Sequence, residues 1–209
     1  MEKVKTKLEA MLLDYNETDG NKEMNLVLFN DALFHITKTH RIIKFPRGHA
    51  LLVGYGGSGK QSLTKLATFT AGYQIFSITL TRGYRERDFR DDLIKLYGLL
   101  CNGPCTFLFT DAHVIEEGFL ELLNNMLAIG MVPALFDDDG KKQMGDLVRD
   151  EAKKKGVNES KEDLWNYFLE KVRDNLHIVL CMSPAGDTLR IRCRNFPGLV
   201  SNTGINWFF

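Results

Sequence analysis

The stretch Gly54-Tyr55-Gly56-Gly57-Ser58-Gly59-Lys60-Gln61-Ser62 constrains this chain more than any other. An apolar run, His49-Ala50-Leu51-Leu52-Val53, leads directly into it, and a helical pattern follows from Gly59 to Thr70. A glycine-rich turn between a buried strand and a helix, with G-x-x-x-x-G-K spacing, reads as a phosphate-binding loop. Its glycines let backbone N–H groups turn inward and approach phosphate oxygens without a Cβ in the way. The helix N-terminus adds a partial positive charge, and Lys60 is spaced to reach the β- and γ-phosphates. The alternative is a strand–helix turn that holds no ligand; strand, spacing and lysine together favour phosphate. The expected nucleotide-binding residues are Gly54, Tyr55, Gly56, Gly57, Ser58, Gly59, Lys60, Gln61 and Ser62.

Such a loop needs a sheet behind it, and the rest of the chain supplies one. After a short helix at Lys3–Asp14 and a turn at Thr18–Asn21, Leu26, Phe29, Leu33 and Ile36 recur at helical spacing, which predicts a helix over roughly Lys22–Ile42. Strands are expected at His49–Val53, Gln74–Leu80, Thr106–Thr110 and Ile178–Met182, with a fifth at Leu199–Asn202. Helices are expected at Glu86–Leu100 and Gly118–Ile129 between them. Strands alternating with helices predict an α/β fold with a parallel sheet covered on both faces. The segment 137–174 differs in character: a charged opening, then a helix started by the Ser160-x-x-Asp163 capping pattern with Leu164, Trp165, Phe168, Leu169 and Val172 on one face. It reads as a helical insertion. Residues 1–21 read as an N-terminal helix and loop, and 22–209 as the α/β unit.

Charge and cysteine content narrow the partners. Lys plus Arg (27) equals Asp plus Glu (27), which argues against a general nucleic-acid binder. Cys101 and Cys105 form a C-x3-C pair, but no second pair stands at zinc spacing, so these two, Cys181 and Cys193 read as free thiols of a reduced compartment. Met1–Glu9 is charged rather than apolar, and no stretch has the length to span a bilayer, so an intracellular soluble chain without membrane partners is expected. The apolar end Trp207-Phe208-Phe209 suggests a piece of a longer protein.

A second element carries metal chemistry. Cys105-Thr106-Phe107-Leu108-Phe109-Thr110-Asp111 is an apolar strand ending in an acid, 51 residues beyond Lys60. This is how a Walker B element reads, with Asp111 holding Mg²⁺ directly or through water; the alternative is an Asp that caps the next turn. Two positions depart from the hydrolase pattern. The residue after Lys60 is Gln61 rather than a hydroxyl residue, and Ser62 lies about 100° further round the helix. Asp111, Ser62 and Gln61 are the candidate metal ligands. Ala112 stands where hydrolases place a glutamate base, and Glu116 and Glu117 fall at the start of the next helix, where they serve its dipole. Ser183, at the end of the fourth strand in Met182-Ser183-Pro184, is either a sensor of the γ-phosphate or a strand-ending turn. No residue is assigned as catalytic.

These residues resemble a known family. GHALLVGYGGSGKQSLTKLA (48–67), FLFTDAHVIEEGFLELLNNMLAIGMVPALF (107–136), VRDNLHIVLCMSP (172–184) and LRIRCRNFPGLVS (189–201) resemble the dynein heavy chain, specifically the large subdomain of the fourth AAA+ module of its ring, in the axonemal type. The resemblance covers nearly the whole chain after about Asn21. It implies an AAA+ P-loop NTPase fold with a five-stranded parallel sheet in the order 5-1-4-3-2. It also implies ATP or ADP with Mg²⁺ as cofactors, neighbouring AAA+ modules of the same heavy chain as partners, and microtubule contact only through a stalk outside this sequence. The location it implies is the cytoskeleton of the cytoplasm and the axoneme of a cilium or flagellum.

In that family the fourth module is regarded as regulatory, and Gln61 and Ala112 look like features of its axonemal form. The resemblance thus implies nucleotide binding with slow or no hydrolysis. A hydrolysis-competent module and a vestigial structural one are the alternatives. AAA+ rings also place an arginine of one module on its neighbour's γ-phosphate. The candidates here are Arg194, then Arg192; the cluster with Arg190 can equally be a basic surface.

Overall fold

The computed structural model describes residues 2–208; Met1 and Phe209, the outer bounds of the two expected units, lie outside the described residues. Five strands form one parallel sheet: β1 (Ala50–Gly54), β2 (Gln74–Phe76), β3 (Cys105–Thr110), β4 (Leu176–Met182) and β5 (Gly204–Phe208). Their order is β2-β3-β4-β1-β5, the order the resemblance implies read from the other edge. The fold is therefore α/β, a five-stranded parallel sheet between helices, as AAA+ P-loop domains have. β1, β3 and β4 are buried along their whole length. Only strands covered on both faces read as unbroken apolar runs.

The two-residue period of a strand divides the core into two. Leu51, Val53, Phe107, Phe109, Ile178, Leu180 and Met182 point to one face, where α4 (Glu86–Leu100), α5 (Gly118–Ile129) and α7 (Lys161–Asn175) pack. Phe89 anchors that side, stacked on Phe119 with ring centroids 4.5 Å apart. Ala50, Leu52, Leu108, Val179 and Cys181 point to the other face, where α1 (Glu2–Glu17), α2 (Asn30–Lys44) and α3 (Lys60–Ala71) pack. Each of these large apolar side chains contributes about 1.5–3 kcal/mol on burial. Among the described residues no helix is long and apolar enough to cross a membrane. All four cysteines are free thiols.

Three elements differ from their expected form. The fifth strand is Gly204–Phe208, not Leu199–Asn202; the latter segment is the short helix α9 (Gly198–Ser201) and its turn. Gly204 N–H donates to His49 O at 2.8 Å and starts the pairing with β1. The expected helix from Lys22 begins only at Asn30. The Asn16 side chain grips the backbone of Met24 from both sides, accepting from its N–H at 2.9 Å and donating to its carbonyl at 3.0 Å, and so holds the stretch before α2 out of the helix. The expected strand Gln74–Leu80 pairs over Gln74–Phe76 alone.

The charged opening of the 137–174 segment is itself a helix, α6 (Asp138–Lys154), capped by Asp137 Oδ1, which accepts from Gly140 N–H at 2.7 Å. It packs on α7, which starts at the expected cap: Ser160 Oγ accepts from Asp163 N–H at 3.1 Å.

Candidate nucleotide site

The carboxyl ends of β1, β3 and β4 meet where the strand order reverses, the place where open parallel sheets bind ligands. The glycine loop leaves β1 there. Gly57 and Gly59 have φ of 81° and 82°, the left-handed region that a side chain resists, and they aim the loop into α3. A Cβ added at Gly56 or Gly57 would meet nothing within 4 Å, so the space over the loop is open. Gly54 is the opposite case: a Cβ there would come within 2.7 Å of Phe208 Cβ, because β5 packs against the start of the loop.

Lys60 opens α3 and folds back over the loop. Its Nζ donates to Gly54 O at 2.5 Å, Tyr55 O at 2.7 Å and Ser58 Oγ at 3.0 Å. These three bonds use all the donors an ammonium has. Burial lowers the Lys60 pKa, and Cys181 and Asp111 nearby oppose that shift. Phosphate oxygens over the loop would replace these acceptors with charged ones and strengthen each bond. Gln61 is exposed and Ser62 half-buried on the first turn of α3.

Asp111 follows β3 in a single turn of 3-10 helix, Asp111–His113. His113 is a packing residue of that turn: its Nδ1 accepts from Thr110 N–H at 3.2 Å, and burial lowers its pKa. The Asp111 carboxylate is held at both oxygens. Ser183 N–H donates to Oδ2 at 2.5 Å and Arg192 Nη1 to Oδ1 at 2.8 Å. Ser183 Oγ itself turns to accept from Ala185 N–H at 3.3 Å. Asp111, Ser62 and the Gln61 amide supply only oxygen donors, a hard set that suits Mg²⁺.

The three arginines part company on α8 (Thr188–Asn195). Arg190 and Arg194 are four residues apart and share its outer face; Arg192 points the other way. Arg194 is exposed, and Arg190 pairs with Asp187 at 3.2 Å on the surface. Arg192, with its side chain only 12% exposed, reaches Asp111 of its own unit. Its Nε lies 3.5 Å from Glu117 Oε1 and makes no hydrogen bond among the described residues. This inward contact is not legible in the sequence, although helical spacing alone separates Arg192 from its two neighbours. Glu116 is also engaged by an arginine, with Arg85 Nη1 at 2.9 Å. Ala112 is exposed at the rim.

A cavity of about 300 Å³ adjoins the loop, walled by Leu26, Val27, Phe29, Asp31, Ala32 and His35 on one side and by Gly57–Gly59, Leu63 and Phe208 on the other. Val27, Phe29, Asp31, Ala32 and His35 fall in the segment around Val27 to Phe45 that the resemblance implies as the lining of a base pocket, whereas Phe208 is not legible as a site residue because β5 lies further along the chain than the sequence suggests. Larger clefts of about 470 Å³ lie elsewhere, one around Arg47, His49 and Arg173 and one on the outer side of α2, and neither is lined by the glycine loop.

Comparison with known proteins bears on this cleft. The family model described as "P-loop containing dynein motor region D4" matches residues 24–209. The chain is 58% identical over 209 residues to dynein axonemal heavy chain 10 of Homo sapiens, a match that covers 99% of this chain and 5% of that protein. It is 60% identical over 189 residues to the dynein-1-alpha heavy chain, flagellar inner arm I1 complex, of Chlamydomonas reinhardtii, covering 90% and 4%. Identity to dynein axonemal heavy chain 6 of Homo sapiens is 46% over 211 residues, covering 100% and 5%. The chain thus spans about 5% of the length of the curated relatives it matches.

Proposed function

The chain belongs to the axonemal dynein heavy-chain family, as the P-loop-containing fourth AAA+ region of the motor, and from that premise we propose that it is a regulatory module which binds ATP or ADP with Mg²⁺ and turns nucleotide over slowly or not at all. The family uses nucleotide and Mg²⁺ generally; their use by this module is the finer step.

The observation that carries the reading is the pairing of a complete phosphate cradle with an incomplete hydrolytic set. Gly54–Gly59 with Lys60 can neutralise and orient phosphates. Asp111, with Ser62 or Gln61, can hold the metal, whose chemistry when bound is to screen the phosphate charge. The residue next to Asp111 cannot take a proton from water, because its side chain is the methyl of Ala112. Glu116 and Glu117, which a hydrolysing version would recruit, face Arg85 and Arg192. A carboxylate beside a guanidinium is a weaker base. The cavity beside the loop is the place for the base, with Leu26, Val27, Phe29 and Phe208 as its apolar walls.

The finer assignments belong to the same proposal. These are an N-terminal helix and loop at 1–21, an AAA+ large subdomain at 22–209 with its helical insertion at about 137–174, and partnership with neighbouring AAA+ modules of one heavy chain. Exposed Arg194 is the arginine that can reach a neighbour's nucleotide. The motor's microtubule contact lies outside this sequence, and its place is the axoneme of a cilium or flagellum.

The test is direct. A fluorescent adenine nucleotide titrated into the chain with Mg²⁺ should saturate, and Lys60→Ala should weaken it about 10–100-fold, the worth of a charge-assisted bond. ATP turnover should stay near background in both. Rapid turnover that Lys60→Ala abolishes would overturn slow hydrolysis, and no saturable binding at millimolar nucleotide would favour a purely structural module.

A further inference from the structure

Asp111 has one partner that does not belong to a metal site. The Arg192 guanidinium sits on its Oδ1 at 2.8 Å, on a side chain only 12% exposed. The arginine is largely withdrawn from solvent there, while the Asp111 side chain keeps 39% of its surface exposed and so stays open to a cation. The same guanidinium stands near a second carboxylate, Glu117, at 3.5 Å, with its buried Nε left without a hydrogen-bond partner among the described residues. Arg192 therefore lies between two acids and satisfies only one of them fully. A divalent cation attaching to Asp111, directly or through a water, needs the negative charge that Arg192 neutralises, and the two positive charges repel.

We propose that Arg192 acts within its own module as a competitor of Mg²⁺ for Asp111, with Glu117 as the acceptor onto which the guanidinium can turn when the metal attaches. The role rests on the nucleotide-binding reading above and adds a regulator to it. Arg192 is a positioning residue here. It sets how much Mg²⁺ the cleft requires, and it does so in cis, on the opposite side of α8 from exposed Arg194.

The experiment reads metal dependence rather than turnover. A methylanthraniloyl-ADP probe is titrated into the chain at a series of Mg²⁺ concentrations, and the Mg²⁺ midpoint for tight binding is compared between variants. Arg192→Ala should lower that midpoint about tenfold, which is about 1.4 kcal/mol. Glu117→Gln should raise it about threefold, since the guanidinium then has only Asp111. Arg190→Ala makes the same change in net charge on the outer face of α8, and should move the midpoint by less than about twofold because that charge is screened. Arg192→Lys guards against misfolding of the alanine variant: a lysine keeps the charge but not the planar fork, and its midpoint should fall between the native and alanine values. A midpoint that stays put or rises in both Arg192 variants, or that shifts equally for Arg190→Ala, overturns the proposal and leaves nucleotide binding standing. If the native chain shows no saturable binding at any Mg²⁺ level, the nucleotide-binding reading fails, and this one with it.

Discussion

The His35 imidazole lies flat on the Phe208 ring, with centroids 3.9 Å apart and planes 11° from parallel. Its Nδ1 donates to the Oδ1 of Asn206, a fully buried residue, at 2.9 Å. α2 and β5 are locked together by this contact at the wall of the cavity beside the glycine loop. His35→Ala removes the stack and one side of that wall. Adenine nucleotide affinity should fall about 3–10-fold, in line with about 1 kcal/mol for an aromatic pair. Inorganic triphosphate, which needs only the loop, should compete as well against the variant as against the native chain. Equal losses for both ligands would show that the cavity does not hold the base.

Ala112 is exposed, so a longer side chain there meets no packing penalty. Ala112→Glu places a carboxylate next to Asp111, where hydrolases carry their base. If the missing base is what limits this module, ATP turnover should rise about 10²–10⁴-fold, the usual worth of general-base catalysis. Turnover that was already fast and barely changes would mean that another group does this work.

Acid should destabilise the chain before its carboxylates titrate. His49 is buried, and burial first, then the nearby His177, hold its pKa down at about 4 against an ordinary 6.5. His49 Nδ1 accepts from Ile178 N–H at 3.0 Å, and a proton on that atom would end the bond. His177 is also lowered, chiefly by burial. A lowered pKa in the folded state means that the stabilisation is fully present above about pH 6.5 and is lost as pH falls toward about 4. The loss from His49 amounts to about 3 kcal/mol. Urea midpoints measured at pH 7 and pH 4.5 should therefore separate widely for the native chain and less for His49→Asn, which keeps an acceptor but does not titrate. Parallel losses in the two proteins would remove His49 from this account.

Gly54→Ala should cost stability and binding together. The new Cβ would lie 2.7 Å from Phe208 Cβ and 3.0 Å from Phe208 O, atoms too close to the backbone to yield. Overpacking of this kind costs about 1–3 kcal/mol, and 2 kcal/mol in a chain of this size lowers Tm by about 4–8 °C. Gly98→Ala is the counterpart: its Cβ meets nothing within 4 Å in the last turn of α4, and Ala gains up to about 1 kcal/mol over Gly in a helix. Opposite shifts in Tm are expected from the two substitutions.

Most of the sheet was legible because its central strands are buried on both faces and so appear as apolar runs. Leu51–Val53, Phe107–Phe109 and Ile178–Met182 needed no tertiary information. β5 was not legible in the same way. Only Asn206 and Phe208 of its described residues are buried, and one of those is polar, so Leu199-Val200 in the preceding helix looked more strand-like than Gly204–Phe208. The helix before β1 is shorter than its apolar period suggests, for a related reason. Leu26 and Phe29 fall on a helical period by spacing, whereas the backbone just before them, at Met24, is held by a side chain from α1, a contact no local pattern records. At the site, the loop, Lys60 and Asp111 follow from motif and context. The contact between Arg192 and Asp111 spans 81 residues and joins α8 to the end of β3, which only the folded sheet brings together.

Gly54 closes against Phe208, and β5 is the outermost strand of the sheet on that side. A strand with neighbours on both sides cannot shift without breaking two ladders; an edge strand breaks one. The phosphate loop is thus backed by the more compliant border of an otherwise stiff sheet. Any displacement of β5 along its length would therefore reach the glycine loop through the close contact of Phe208 with Gly54.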